Sequence, residues 1–150
     1  MFKDNIPMGA RIAFLSKLFK NSIKELCNEK GINSTYSQII MHLSRKPEGV
    51  PQNNIAEHVH LAAPTISLTL KNMEYQGLII REVDQKDSRK TIVKLTTKGY
   101  EMDEVIRNCF KELEEKMVIN ISLEDLNNFK RIIDMMKNNL MDEKETTCNV

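Results

Sequence analysis

Between Val50 and Gly99 the spacing of apolar residues changes from helical to strand-like and back to helical. Pro64 to Met73 is apolar at Ile66, Leu70 and Met73, an i, i+4, i+7 stripe that predicts one buried helix face. Pro64, Leu68, Lys71 and Tyr75 fall on the opposite side, with Thr65 and Asn72 on the flank. Gly77 then stops the helix, and Leu78 to Val83 and Lys90 to Leu95 read as the two strands of a hairpin. The block that joins them, from Asp84 to Lys90, is polar and charged. Upstream, Pro51 to Val59 predicts a short helix opened by Pro51 at the first helical position, with Ile55, Ala56 and Val59 facing inward. His60 to Ala63 is the turn between the two short helices. Ala62 and Ala63 provide no side-chain oxygen to cap the second one.

Longer helical patterns flank this stretch. Residues 8–30 carry Ile12, Leu15, Phe19, Ile23 and Leu26 on one stripe, which Phe14, Leu18 and Cys27 widen, and Gly31 stops the helix. So wide a stripe suits burial on more than one side, inside the fold or against a second subunit. Thr35 and Gln38 have capping-box spacing for the next helix, which is apolar at Ile39, Ile40 and Leu43 and ends near Arg45, before Pro47. After the hairpin, Thr96 is the expected N-cap of a fifth helix with Met102, Val105, Ile106, Cys109, Phe110, Leu113 and Met117 on its apolar face. Ser122, with Asp125 three residues on, caps a sixth helix carrying Leu126, Phe129, Ile132, Ile133, Met136 and Leu140. The tail from Asp142 to Val150 is polar and expected to fray.

The architecture expected from this pattern is mainly α with a small β-hairpin wing. Residues 1–150 make one domain, with a winged part over about 34–96 between end helices at about 8–30 and 97–141. The end helices are more apolar than the middle part can cover, and a closed two-fold dimer is the commonest remedy. A helix sized for the DNA major groove beside a charged hairpin is the layout of a winged helix-turn-helix. Double-stranded DNA and a second copy of the chain are therefore the expected partners.

Charge supports this through its distribution. The net value of +1 predicts no polyanion partner, but residues 1–98 hold 15 basic and 9 acidic residues, a balance of +6, while residues 99–150 hold 7 and 12, a balance of −5. The basic part contains the hairpin, as phosphate contact requires. Cys27, Cys109 and Cys148 lie far apart, an odd count without the paired spacing of a disulfide framework or a zinc site. His58 and His60 point to nearly opposite sides of a helix and cannot share a metal without distortion, so exposed or capping histidines are expected at His42, His58 and His60, and no metal site. No P-loop, GxGxxG, HExxH or nucleophile elbow appears, and neither enzymatic activity nor a cofactor is expected. No run approaches the ~20 apolar residues of a membrane span, and no signal peptide is read at the N-terminus, so the cytoplasm is the expected location.

Met73-Glu74-x-x-Gly77-Leu78, Arg81, the Asp84 to Arg89 block and Leu95-Thr96-x-Lys98-Gly99, taken in order, resemble the MarR family of bacterial transcriptional regulators. Pro64-Thr65-Ile66-Ser67 is similar to the start of the family's recognition helix. Two departures stand out: Ser88 precedes Arg89 where the family often has a second arginine, and Ala62 or Ala63 stands where a small polar residue is usual. The resemblance implies a homodimer joined through its first, fifth and sixth helices. Each subunit would place a recognition helix in the major groove of a pseudo-palindromic operator and a wing in the flanking minor groove. It also implies repression, and release by a small phenolic or lipophilic ligand or by oxidation. A candidate effector pocket at Tyr36 and Met41 rests on the resemblance alone.

Within this frame Lys86, Arg89 and Lys90 at the wing tip suit the electronegative minor groove. Asp84 and Asp87 have the wrong sign for DNA, and one of them is expected to hold Arg89 by a charge-assisted hydrogen bond. Thr65, Ser67, Leu68 and Lys71 are candidates for the groove face, where Leu68 could meet a thymine methyl. Gln52 and Asn53 are expected to position the backbone, and Pro64 and Ser88 complete the expected DNA-facing set. The competing reading is a winged-helix protein-interaction module without DNA binding, whose mark would be a neutral groove face.

Overall fold

The computed structural model describes residues 5–146, with side chains to residue 141. The elements in order are α1 (Met8–Glu29), α2 (Ser34–Ser44), β1 (Val50–Pro51), α3 (Gln52–Val59), α4 (Ala63–Tyr75), β2 (Ile79–Val83), β3 (Thr91–Leu95), α5 (Thr97–Met117) and α6 (Leu123–Thr146). They fall into two compact units that divide between Glu114 and Glu115, within α5.

In the first unit the predicted stripes of α2, α3 and α4 and part of that of α5 form the core. Ile12 and Leu15 of the α1 stripe, with Phe14 and Leu18 beside it, and Val105 and Met117 of α5 are instead exposed. Ile39, Ile40 and Leu43 of α2, Ile55 of α3 and Ile66, Leu70 and Met73 of α4 are all fully buried, together with Ile106 and Cys109 of α5. Full burial of one such side chain stabilises a fold by about 1.5–3 kcal/mol, so the periodic pattern largely determined which helix faces turned inward. Arg107 donates to buried Asp103 of α5 at 2.7 Å and also to Ser44 Oγ at 3.2 Å. That side chain links α5 to the end of α2.

Three local expectations are corrected. The wing is a three-stranded antiparallel sheet in the order β1-β3-β2, because Val50 and Pro51 pair with Val93 and Ile92. A two-residue strand ending in proline leaves no alternation to read, so the sequence pattern did not disclose it. Pro51 accordingly ends β1 and stands at the N-cap of α3 rather than inside the helix. The cap of α2 is Asn33, whose side chain accepts from the Thr35 amide at 2.8 Å, and not Thr35. Ser34 and Thr35 are already helical, and a β-region asparagine just before them is the better-placed acceptor.

Elsewhere the caps are as expected. Gly77, at a φ of +73°, ends α4 in the left-handed region that glycine tolerates best. Thr96 Oγ1 accepts from the Gly99 amide at 3.1 Å and opens α5. A Cβ on Gly99 would run into the Leu78 carbonyl, so the strand-to-helix corner requires glycine there.

In the second unit Ser122 accepts from the Asp125 amide at 3.0 Å and donates to its carboxylate at 2.7 Å, the expected cap of α6. Leu126, Ile133 and Met136 are half-buried, whereas Phe129, Ile132 and Leu140 are exposed. The backbone of α6 continues to Thr146, so the first five residues of the expected tail are helical rather than frayed. Residues 147–150, including Cys148, lie outside the described residues. Among the described residues no helix is long and apolar enough to cross a membrane.

Candidate nucleic-acid interface

The turn between α3 and α4 is made by His60, at a φ of +54°, and Leu61 and Ala62. It presents α4 with its polar side outward. Thr65, Ser67, Leu68 and Lys71 are exposed along one flank of the helix, with Pro64 at its start and Tyr75 at its end. Leu68 is 61% exposed although it is a large apolar residue in the middle of a helix. Burial against the fold does not explain that placement; contact with something outside would.

α4 starts at Ala63 with Ala62 as N-cap and no side-chain cap. Its first-turn amides therefore offer donors and a partial positive charge to an outside acceptor, as at helix starts that bind phosphate. Beside that end lies an open cleft of about 330 Å³, lined among others by Gln52, Asn53, Ala63, Arg89 and Lys90. These residues come from α3, α4 and the wing, nearly 40 positions apart at the extremes, and converge on one place. The sequence nominated each of them separately; only the fold brings them together.

The wing tip is built around its two aspartates. The Asp84 amide donates to the Lys90 carbonyl at 2.9 Å and the Lys90 amide to the Asp87 carbonyl at 2.9 Å, which closes the loop. Asp84 accepts from the Lys86 amide at 3.0 Å. Asp87 takes the guanidinium, as Arg89 Nε donates to Oδ1 at 3.1 Å. The Arg89 hydrogen bonds hold the Asp87 carboxyl below the usual carboxylate range. Lys86, Ser88, Arg89 and Lys90 are exposed around this frame.

Below the wing, Arg81 of β2 donates to Glu74 of α4 through Nη2 at 2.7 Å and Nε at 3.0 Å. That hydrogen bond, more than anything else, lowers the Glu74 pKa. Sequence spacing gives no clue to this pair, because a seven-residue separation across a helix stop has no fixed geometry. The same holds for His42 of α2 and His58 of α3, whose rings stack at 3.9 Å and 19°. No group of three or more metal-ligating side chains assembles among the described residues.

Tyr36 and Met41 do not share a cavity. Met41 lines one of about 610 Å³ with Phe19, Ile23, Cys27 and Phe110, between α1, α2 and α5, edged by Lys20 and Lys24. Tyr36 lines a smaller one, about 220 Å³, with Ile32, Gln76, Leu78 and Met102.

A MarR family model matches residues 30–90, which span α2 to the wing tip. Staphylococcus aureus MepR, a transcription regulator of the multidrug efflux pump MepA, is 26% identical, with a TM-score of 0.80 over 90% of this chain and 99% of that one. MepR in a DNA complex matches with the same identity and coverage at a TM-score of 0.69. A cysteine-to-serine mutant of E. coli MarR is 15% identical and matches 89% of this chain and 98% of that one, at a TM-score of 0.79. Six helices and a small wing in this order among the described residues, the family match over the segment that carries the interface, and the MepR likeness lead to one conclusion: residues 30–90 match the MarR family, and the chain is similar in fold to the transcription regulator MepR.

Proposed function

We propose that this chain is a DNA-binding regulator that acts as a homodimeric repressor, with one α4 in each of two successive major-groove faces of a pseudo-palindromic operator. The observation that carries the DNA-binding part is the cleft where Gln52, Asn53, Arg89 and Lys90 meet the uncapped start of α4. Phosphates seated there would fix the register, leaving Thr65, Ser67, Leu68 and Lys71 to face base edges. MepR is known in complex with DNA, which supports DNA as the partner of this chain. The exposed Phe14, Leu15 and Leu18 of α1 and the exposed Phe129 and Ile132 of α6 support dimerisation, since apolar side chains in such number favour burial against a second copy.

Of the two proposed modes of release, the cavity beside Met41 supports ligand binding. It is within the size range of small-molecule sites and mostly apolar, with two lysines at its edge. An aromatic or aliphatic molecule carrying an acidic group would match that lining. Oxidation has less support: burial, then the neighbouring Cys109, pushes the Cys27 thiol up to about 11, which suppresses the reactive thiolate.

A gel shift with duplex from upstream of the protein's own coding sequence, at two salt concentrations, tests the reading. Retarded DNA whose affinity falls as salt rises is expected. No retardation at low salt, or affinity indifferent to salt, would overturn it.

A further inference from the structure

The last turn of α4 and the three residues that follow it are held from outside at four points. Glu74 accepts from Arg81 of β2, at 2.7 Å at its closest. The Gln76 carbonyl accepts from Lys98 Nζ at 2.8 Å. Thr96 Oγ1 donates to the Gly77 carbonyl, and the Thr96 amide donates to the Leu78 carbonyl at 3.1 Å. The final carbonyls of a helix have no donors of their own and form the negative end of its dipole. α4 has no basic residue in its last turn, so the cations come from β2 and from the start of α5. These ties act at the end of α4 remote from the cleft at Ala63, about 18 Å away along a 13-residue helix.

From this we infer that Arg81 and Lys98 are positioning residues for DNA binding: they fix the angle of α4 against the wing through its C-terminal turn. The inference rests on the DNA-binding reading. A helix in the major groove and a wing beside it must engage one duplex together, yet only Gln76 to Leu78 separate α4 from β2. Without the ties only the burial of Met73, Leu78 and Ile79 holds the chain on either side of Gly77. Apparent affinity then falls in proportion to the fraction of molecules that keep the competent angle.

The test uses the full chain, the upstream duplex and a series of salt concentrations. Lys98→Met and Arg81→Met are each expected to weaken binding about 5-fold while leaving the slope of log affinity against log salt unchanged. Arg89→Ala, the contact control, is expected to flatten that slope by about one. The exchanged pair Glu74→Arg with Arg81→Glu is expected to regain affinity relative to Arg81→Glu alone. Amide hydrogen exchange of the DNA-free protein is read alongside, with residues 72–80 expected to exchange faster in Lys98→Met. A slope flattened by about one in Lys98→Met would make that lysine a phosphate contact and overturn the inference. Unchanged affinity, or a lower melting temperature with unchanged affinity and unchanged exchange at residues 72–80, would overturn it as well. A parent protein that binds no duplex would instead refute the DNA-binding reading, and the exchange measurement would still decide the tie.

Discussion

Asp87 binds Arg89 three times across the single residue Ser88: Oδ1 accepts from the Arg89 backbone amide at 3.1 Å and from its Nε at 3.1 Å, and Oδ2 accepts from Nη2 at 3.4 Å. The two ends of the pair differ in exposure, 89% for the arginine side chain and 27% for the aspartate. The carboxylate is therefore part of the loop's frame, and the guanidinium it aims is the part that reaches outward. An acidic residue in a loop proposed to face DNA makes sense in that role, since it opposes the free swing of a long side chain.

Removing the frame leaves the cation in place but unaimed. Asp87→Ala is expected to weaken operator binding by roughly 2- to 5-fold, the scale of an exposed ion pair. Affinity measured by fluorescence anisotropy checks this, and binding as tight as the parent's would show that Asp87 does not orient Arg89.

Removing the cation has a different signature. Arg89→Ala is expected to lower affinity on related and unrelated duplexes alike and to reduce the salt slope by about one. A loss confined to one sequence would mean that Arg89 reads bases rather than phosphates.

The contact between α2 and α3 includes two stacked imidazoles. His42 Nε2 is buried without a partner, and its ring lies on that of His58. Burial first, then the charges of His58, Lys46 and Arg45, lowers the His42 pKa. The folded protein thus binds this proton less readily than the unfolded chain. Its contribution to stability is complete above the ordinary imidazole value of about 6.5 and is lost as pH falls from there to the lower folded value. Melting temperatures from pH 8 to 5 should drop less steeply for His42→Phe than for the parent. Parallel curves would contradict the shift.

Thiol chemistry provides an independent check on the core. With its thiol near 11, Cys27 holds roughly a thousandth of its population as thiolate at pH 8. Cys27 and Cys109 are expected to react with iodoacetamide at least about 100-fold more slowly in the native protein than in the unfolded chain, read peptide by peptide in a mass spectrometer. Labelling of Cys27 within minutes under native conditions would contradict its burial.

The helices were legible in the sequence because each buries a stripe with the period of its own backbone: Ile66, Leu70 and Met73 could face inward together in no other conformation. The wing loop was legible because Asp84 and Asp87 act through local chemistry, each accepting from the backbone amide two residues on. What stayed hidden depends on partners distant in sequence. β1 exists only because Val93 and Ile92 lie beside it, and Lys98 could not be assigned to Gln76 before the corner at Gly99 was known. The cleft was half visible, with its residues nominated and their meeting point unknown. Tyr36 and Met41, taken from family resemblance, line separate cavities because they point to different sides of α2.

Hydroxyl-radical footprinting of the upstream duplex, run beside sedimentation of the same complex, measures the arrangement most directly. Two copies per duplex and two protected patches about one helical turn apart, ~34 Å, are predicted. A single protected patch with one copy bound, or protection that survives replacement of both Lys71 and Arg89 by alanine without loss of affinity, would contradict it.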